Sequence, residues 1–369
     1  MAERTSKRSA VWAGLAAGVT VAAVISGLVY LREHRSAEYA EPEPYPAAGP
    51  VLPTAVPAGP TETVSPAPPP SAPAARSFFP AAGWLWTPIG PDPALAPDSA
   101  TWVGYLSDPA ARRIADLYRY GVTLVPAAAV TPATPRYEVT LTEPWGGDPL
   151  GVSRVPIPAG TAVPPGSDGQ IAVLDPTTNE AFGLWRAVFD PQANTWSASW
   201  GGVTPLDGDG IVRSGSATAT KIARYAGVIS AAEFSAAVDA NTGLAHALVF
   251  STDIAGPDFV APAIKSDGTN TAEVAMPMPE GSRIQLDPKV NVDEIPGITP
   301  GEKVIAKTLQ THGAYAVDKG RARMAFVFEA LPGADNADPG DAWEAAGLEW
   351  DEFELDSIPW SSLRVIAAG

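Results

Sequence analysis

Ile171 to Trp200 reads IAVLDPTTNEAFGLWRAVFDPQANTWSASW, and this stretch decides the fold class. It contains three short runs rich in β-branched and aromatic residues: Ile171–Asp175, Phe182–Phe189 and Trp196–Trp200. Asp175-Pro176 and Asp190-Pro191 punctuate them. Asp bonds its own backbone and Pro fixes φ, so each pair initiates a turn. Short runs of this composition between turn residues are strands.

The same pattern extends in both directions. Tyr137–Thr142, His246–Ser251, Ser282–Leu286, Met324–Glu329 and Leu363–Ile366 repeat it, with Gly, Pro, Asp and Asn between them. The expected fold is mainly β, an antiparallel β-sandwich of jelly-roll-like kind with a few peripheral helices. Asp108-Pro109 is read as opening one helix that runs to about Tyr120, with Gly121 as its stop. Ser230-x-x-Glu233 is a capping box for a second, and Thr299-Pro300-Gly301-Glu302 for a third that ends near Gly313.

The amino-terminal part reads differently. Ala10 to Leu31 is a 22-residue stretch without a charge. At 1.5 Å per residue it spans roughly 33 Å, enough to cross a bilayer core. Arg4, Lys7 and Arg8 precede it, which favours a cytoplasmic basic tail over residues 1–9 and an extracellular remainder. Arg32-Glu33-His34-Arg35 follows where a cleavable signal would carry small residues, so residues 10–31 are expected as an uncleaved anchor in the cell membrane. Residues 32–76 form the expected linker. Twelve prolines lie between Glu41 and Arg76. Such a stretch is extended and polyproline-like, reaching on the order of 110 Å.

Residues 77–369 are long enough for a sizeable core and show no fixed-period repeat, so one domain is expected. From residue 41 onward 38 Asp and Glu face 19 Lys and Arg, a balance that repels phosphate backbones and argues against nucleic acid as a partner. The chain has no cysteine. That excludes disulfides, thiolate catalysis, iron–sulfur clusters and Cys-based zinc sites.

Few residues are equipped for chemistry. Of three histidines, His34 abuts the expected anchor, and His312 ends the third helix, where the helix dipole welcomes its charge. His246 begins an alternating strand and shares a face with Leu248 and Phe250. A hydrogen-bonded core histidine is one reading, and a general base on a concave sheet face is the other. Arg283, Gln310 and Tyr315 are the assistants that a polysaccharide lyase would need: a cation for a uronate carboxylate, with an acid and a base for elimination. Asp318 joins them as a substrate-binding candidate.

Trp196 and Trp200, four apart on one strand, place two indoles on the same face about 13 Å apart. Spaced indoles stack sugar rings, and they also fill cores. Asp207 and Asp209 stand in a Gly-rich turn suggestive of a Ca2+ loop, although the bidentate Glu of an EF-hand is absent. No other cofactor is expected. No Gly-x-Ser-x-Gly elbow, P-loop, dinucleotide fingerprint or His-Glu-x-x-His appears, so serine hydrolase, NTPase, dehydrogenase and zincin chemistry lose their main support.

Several local strings carry a resemblance. They are Pro158-Ala159-Gly160, Gly166-x-Asp168-Gly169, Trp200-Gly201-Gly202, His246-Ala247-Leu248 and Asp267-Gly268. Pro279-Glu280-Gly281-x-Arg283-x-x-Leu286-Asp287-Pro288, Leu309-Gln310-x-x-Gly313 and Ile358-Pro359-Trp360 complete the set. Together, over most of residues 80–366, the chain resembles a group of secreted or surface proteins of actinobacteria and related bacteria. The resemblance implies a surface location and an intact domain, and no established activity. The expectation is therefore a membrane-anchored surface protein whose outer domain binds or processes polysaccharide, as a lyase or glycoside hydrolase if it is an enzyme. The alternative is a non-catalytic module that binds another envelope protein.

Overall fold

The computed structural model describes residues 78–90, 92–271 and 276–369. The anchor, tail and linker expected over residues 1–76 lie outside the described residues. Among the described residues no helix is long and apolar enough to cross a membrane.

The chain is mainly β, with several sheets and few helices. In the two larger sheets the strands are β1 Arg113–Asp116, β2 Val122–Val125, β3 Gln170–Asp175, β4 Glu180–Trp185, β5 Trp200–Pro205 and β6 Leu248–Thr252. They continue with β7 Arg283–Leu286, β8 Ala314–Lys319, β9 Met324–Val327, β10 Phe353–Glu354 and β11 Leu363–Ile366. The helices are α1 Gly83–Trp86, α2 Ser99–Leu106, α3 Ala231–Asp239, α4 Pro300–Thr311 and α5 Asp341–Glu344.

A seven-stranded sheet runs β10-β1-β9-β6-β8-β7-β11, and a four-stranded sheet runs β5-β4-β3-β2. The larger sheet is mixed where an antiparallel one is expected from sequence: β1 pairs with β9, and β6 with β8, in parallel. A parallel pair needs a long crossover. The chain between β6 and β8 supplies one through α4.

Alternation along the central strands assigns each face. Leu248 and Phe250 of β6, with Ala314 and Ala316 of β8, meet Phe234 of α3, Val304, Ile305 and Leu309 of α4, and Trp343 of α5. Val249, Tyr315 and Val317 point the other way, into a core shared with Ala172, Leu174 and Ala181 of the four-stranded sheet. The far face of that sheet, through Ile171, Val173, Phe182 and Leu184, packs on Trp196, Ala198 and Val155. The order of layers is thus helices, seven-stranded sheet, four-stranded sheet and small outer strands. Each fully buried Leu or Phe contributes roughly 1.5–3 kcal/mol.

Both expected capping boxes form. Ser230 and Glu233 cap α3, and Thr299 and Glu302 cap α4, with Pro300 at its first position. The helix expected from Asp108-Pro109 does not form. Asp108-Pro109 begins a turn, Arg113–Asp116 is β1 with every residue buried, and the nearby helix is α2 before it. Pairing with β9 on one side and β10 on the other satisfies β1 better than local helix preference does.

Candidate functional site

The polar residues read from sequence are each engaged by the fold. His246 is buried, with Nε2 3.1 Å from Glu233 Oε2 and Nδ1 2.9 Å from its neighbour's carbonyl, Ala247 O. Trp86 of α1 meets the imidazole edge-on at 5.9 Å. Arg283 donates through Nε and Nη2 to His312 O at 2.9 and 2.6 Å, and through Nη2 to Thr87 O at 2.9 Å. Its guanidinium lies over the Tyr315 ring, 5.1 Å from the centroid. Tyr315 donates its hydroxyl proton to Trp84 O at 3.1 Å, and Gln310 Nε2 donates to Asp287 O and Val290 O at 3.0 and 2.8 Å. Arg283 and Tyr315 thus touch, while Gln310 serves a separate loop. His246 is sealed, with its ring nitrogens at Glu233 and Ala247 O.

Burial drives the His312 imidazole down to about 4, and the positive charges of His246 and Arg283 push the same way. It stays neutral where a dipole-stabilised cation is expected from sequence. The helix end is buried, and burial outweighs the dipole.

The paired-indole expectation for Trp196 and Trp200 meets a different arrangement. The chain leaves one sheet and enters another between them: Thr195–Ala198 belongs to a three-stranded sheet, and Trp200 opens β5. Trp196 is core, packed on Tyr137 and Phe189. Trp200 instead joins Trp185 and Trp145. Trp200 is opposite Trp185 across the β5–β4 ladder. Trp145 stacks on Trp185 at 5.7 Å with 25° between planes, and meets Trp200 at 5.6 Å. Arg186 covers Trp185 from 4.2 Å. Trp145 itself remains 60% exposed, so one indole face is offered to solvent on a rigid base of two others. Trp145 and Trp185 are 40 positions apart, and only the register brings them together.

Asp207 and Asp209 do not converge on one centre. Asp207 Oδ1 accepts from Asn179 Nδ2 at 2.8 Å, whereas Asp209 is paired with Arg213 at 2.7 Å and held below the usual carboxylate range by it. Among the described residues no group of three or more His, Cys, Asp or Glu is placed to hold a metal ion.

Asp318 lies in a richer setting. The β6–β8 register slips between Phe250, opposite Ala316, and Ser251, opposite Asp318. The extra residue, Val317, makes a bulge, and a bulge re-aims the side chain that follows it. Asp318 is thereby turned toward the four-stranded sheet. Its Oδ1 accepts from Ala219 N at 2.6 Å and its Oδ2 from Arg224 Nη1 at 3.1 Å. The same Nη1 donates to Gln170 Oε1 at 3.0 Å. Burial outweighs both of the Asp318 donors, and Asp267 and Asp168 add their negative charge, so the Asp318 carboxyl is pushed up to about 7. Its side chain still keeps 22% of its surface open.

Two more acids complete this region. Glu280 is wholly buried. Burial first, then its hydrogen bond with the Asp267 carboxyl and the charges of Asp318 and Asp267, push it up to about 10 against a hydrogen bond from Ser266, so it is a neutral acid at pH 7. Asp267 is exposed and accepts from Lys319 N at 3.2 Å. Asp168, which accepts from Trp185 Nε1 at 3.2 Å, links the acids to the indoles. Asp168, Asp267 and Glu280 each stand beside a glycine, and no role was legible for them in the sequence.

The chain matches no known family, no curated protein and no solved structure.

Proposed function

We propose that this chain is a membrane-anchored bacterial surface protein whose outer domain binds polysaccharide. The observation that carries the reading is the open face of Trp145 on its stacked base of Trp185 and Trp200. Sugar rings stack on the open faces of indoles, and here three indoles are gathered at one place. The acidic balance of the chain favours a neutral or cationic glycan over an anionic one. The uncharged stretch Ala10–Leu31 and the Pro-rich linker support the anchored, outward-facing topology. The stacking of the two larger sheets supports a sandwich of jelly-roll-like kind, departing from it at the parallel pairs.

The test is co-sedimentation of the full chain, in detergent, with peptidoglycan, chitin, cellulose and xylan. We expect retention on at least one, and a loss of about tenfold in affinity for Trp145→Ala, from a stacking contribution of about 1–1.5 kcal/mol. Retention unchanged by that substitution would remove the platform from the reading. The alternative, docking to another envelope protein, draws on Val188–Asp190. This strand is exposed at every position and forms the edge of its sheet. An open edge can add a partner's strand.

A further inference from the structure

We infer that the Trp145 platform selects a polysaccharide of amino sugars whose amines are free, a cationic polymer, over the N-acetylated form of the same chain. The inference rests on the polysaccharide reading above and names the class of sugar.

The indole cluster already holds one cation. The Arg186 guanidinium lies 4.2 Å from the Trp185 ring centroid, and its Nε donates to Ser167 O at 3.1 Å. The negative face of an aromatic ring attracts positive charge, and an indole does so most strongly. Trp145 stacks on Trp185 and is 60% exposed. Among the described residues no Lys or Arg covers its ring. An ammonium carried by a sugar stacked there gains the cation–π attraction as well as the stacking. An acetamide gains the stacking alone.

The charges near the platform have one dominant sign. Between Glu138 and Arg154 the chain carries Glu143 and Asp148, two before and three after Trp145, and no Lys or Arg. Glu143 is part-exposed, and its amide donates to Ser199 O at 3.1 Å, which holds this segment beside Trp200. Asp148 is exposed. Asp168 comes from a separate segment. Trp185 Nε1 donates to its Oδ1 at 3.2 Å and so fixes this carboxylate at the edge of the stack. Three carboxylates thus flank Trp145 and Trp185, and Arg186 offsets one of them, in a chain of net charge −17.

Complementary charge of this kind chooses between ligands of similar shape. A uronate polymer is repelled, and a neutral polymer gains only stacking. A polymer with an ammonium on each ring gains stacking, cation–π attraction and the field of the acids together.

The experiment measures retention of the full chain, in detergent at pH 6, on chitosan beads and on the same beads after N-acetylation. Acetylation removes the amine charge and keeps the linkage. We expect about fivefold higher affinity for the free-amine beads. The preference should shrink as salt rises to about 0.5 M. A cationic bead also attracts an acidic chain through net charge alone, so two charge-matched pairs of substitutions separate the platform from the whole. Glu143→Gln with Asp168→Asn should cut the preference to about twofold. Asp239 ends α3, and Glu294 is in the turn packed on α4, both exposed. Asp239→Asn with Glu294→Gln should leave the preference unchanged. Trp145→Ala alters no charge and should remove most of it. Circular dichroism checks folding, and the exposed Trp145 keeps the test valid if the Glu143 and Asp168 pair misfolds.

Equal retention on both beads, lowered on both by Trp145→Ala, would overturn the amine preference and leave the polysaccharide reading standing. A preference that Trp145→Ala leaves intact would belong to net charge and overturn the inference alone. So would one that the two pairs of substitutions reduce equally. Retention on neither bead, with retention on cellulose or xylan, would also overturn the inference alone. Retention on no polysaccharide would overturn both.

Discussion

His246 Nε2 stands 3.1 Å from Glu233 Oε2, and this contact fastens the first turn of α3 to the start of β6. Glu233 has two tasks: Oε1 accepts from Ser230 N at 2.8 Å in the capping box, and Oε2 faces the imidazole. Burial by itself would depress His246, but the Glu233 carboxylate prevails and holds it above its ordinary 6.5. Burial would raise Glu233, but His246 and Ser230 prevail and hold it below its ordinary 4.5. The signs are opposite. The histidine's contribution is complete below 6.5 and fades as pH rises through its raised value. The contribution of the glutamate is complete above 4.5 and fades as pH falls through its lowered value.

The stability difference between wild type and His246→Gln should therefore be largest between about pH 4.5 and 6.5 and shrink on either side. Thermal melts of both proteins from pH 4 to pH 9 measure it. A pH-independent difference would mean that the ion pair contributes nothing beyond packing.

The Trp200-Gly201-Gly202 string has a steric basis. A Cβ on Gly202 would lie 1.8 Å from Gly215 O, and one on Gly201 would lie 2.7 Å from Gly183 O. Backbone meets backbone at both places, so neither can yield. Gly202→Ala should lower stability by about 1–3 kcal/mol or more. Gly147→Ala, where a Cβ meets nothing within 4 Å, should stay within about 0.5 kcal/mol. Urea midpoints of the two variants compare them directly, and equal midpoints would contradict the packing argument.

Local pattern found strands within the eight expected runs and two of three longer helices, because β-branched runs and capping boxes are written in adjacent residues. It missed β1, β2, β8 and β10 of the larger sheets. Leu363–Ile366 matches its expected bounds, and α3 and α4 begin at their boxes. The failures share one cause. Arg113–Asp116 is a strand because β9 and β10 lie beside it, and those are more than 200 positions away. Phe182–Phe189 breaks after Trp185, where Arg186 takes φ +53°. Trp196 and Trp200 separate because Ser199 lies at a change of sheet. For the site, Asp318 was legible as a polar residue near the third helix, and neither the strand that carries it nor the bulge that aims it was. Asp267, Glu280 and Asp168 each stood beside a glycine, but their approach depends on three distant segments meeting. Burial, which sets their protonation, is a property of that meeting.

The cap of α4 offers a purely local test. Thr299 accepts from Glu302 N at 3.1 Å, and Glu302 Oε2 accepts from Thr299 N at 3.0 Å. Thr299→Ala removes the first of these bonds and should cost about 1 kcal/mol. Glu302→Gln should cost more, because Glu302 is also buried and its Oε1 accepts from Ser357 N at 2.9 Å. Ranking the two by chemical denaturation checks this, and the reverse order would show that the Ser357 contact is unimportant.

Glu280 gives the sharpest pH signature. In the unfolded chain it ionises near its ordinary 4.5, while in the folded protein burial and the nearby acids keep its proton on until about 10. Between those values the folded state binds one proton more than the unfolded state, so the Glu280 contribution falls steadily as pH rises. Glu280→Gln has the same shape and cannot titrate. Its stability relative to wild type should therefore climb from pH 5 to pH 9. The baseline at pH 3, well below 4.5, where both side chains are neutral in either state, records any packing cost of the amide. Subtracting that baseline isolates the proton. Differential scanning calorimetry of the pair at unit pH intervals measures the slope, and a flat difference would mean that Glu280 ionises within the fold, in contact with water or a counter-charge.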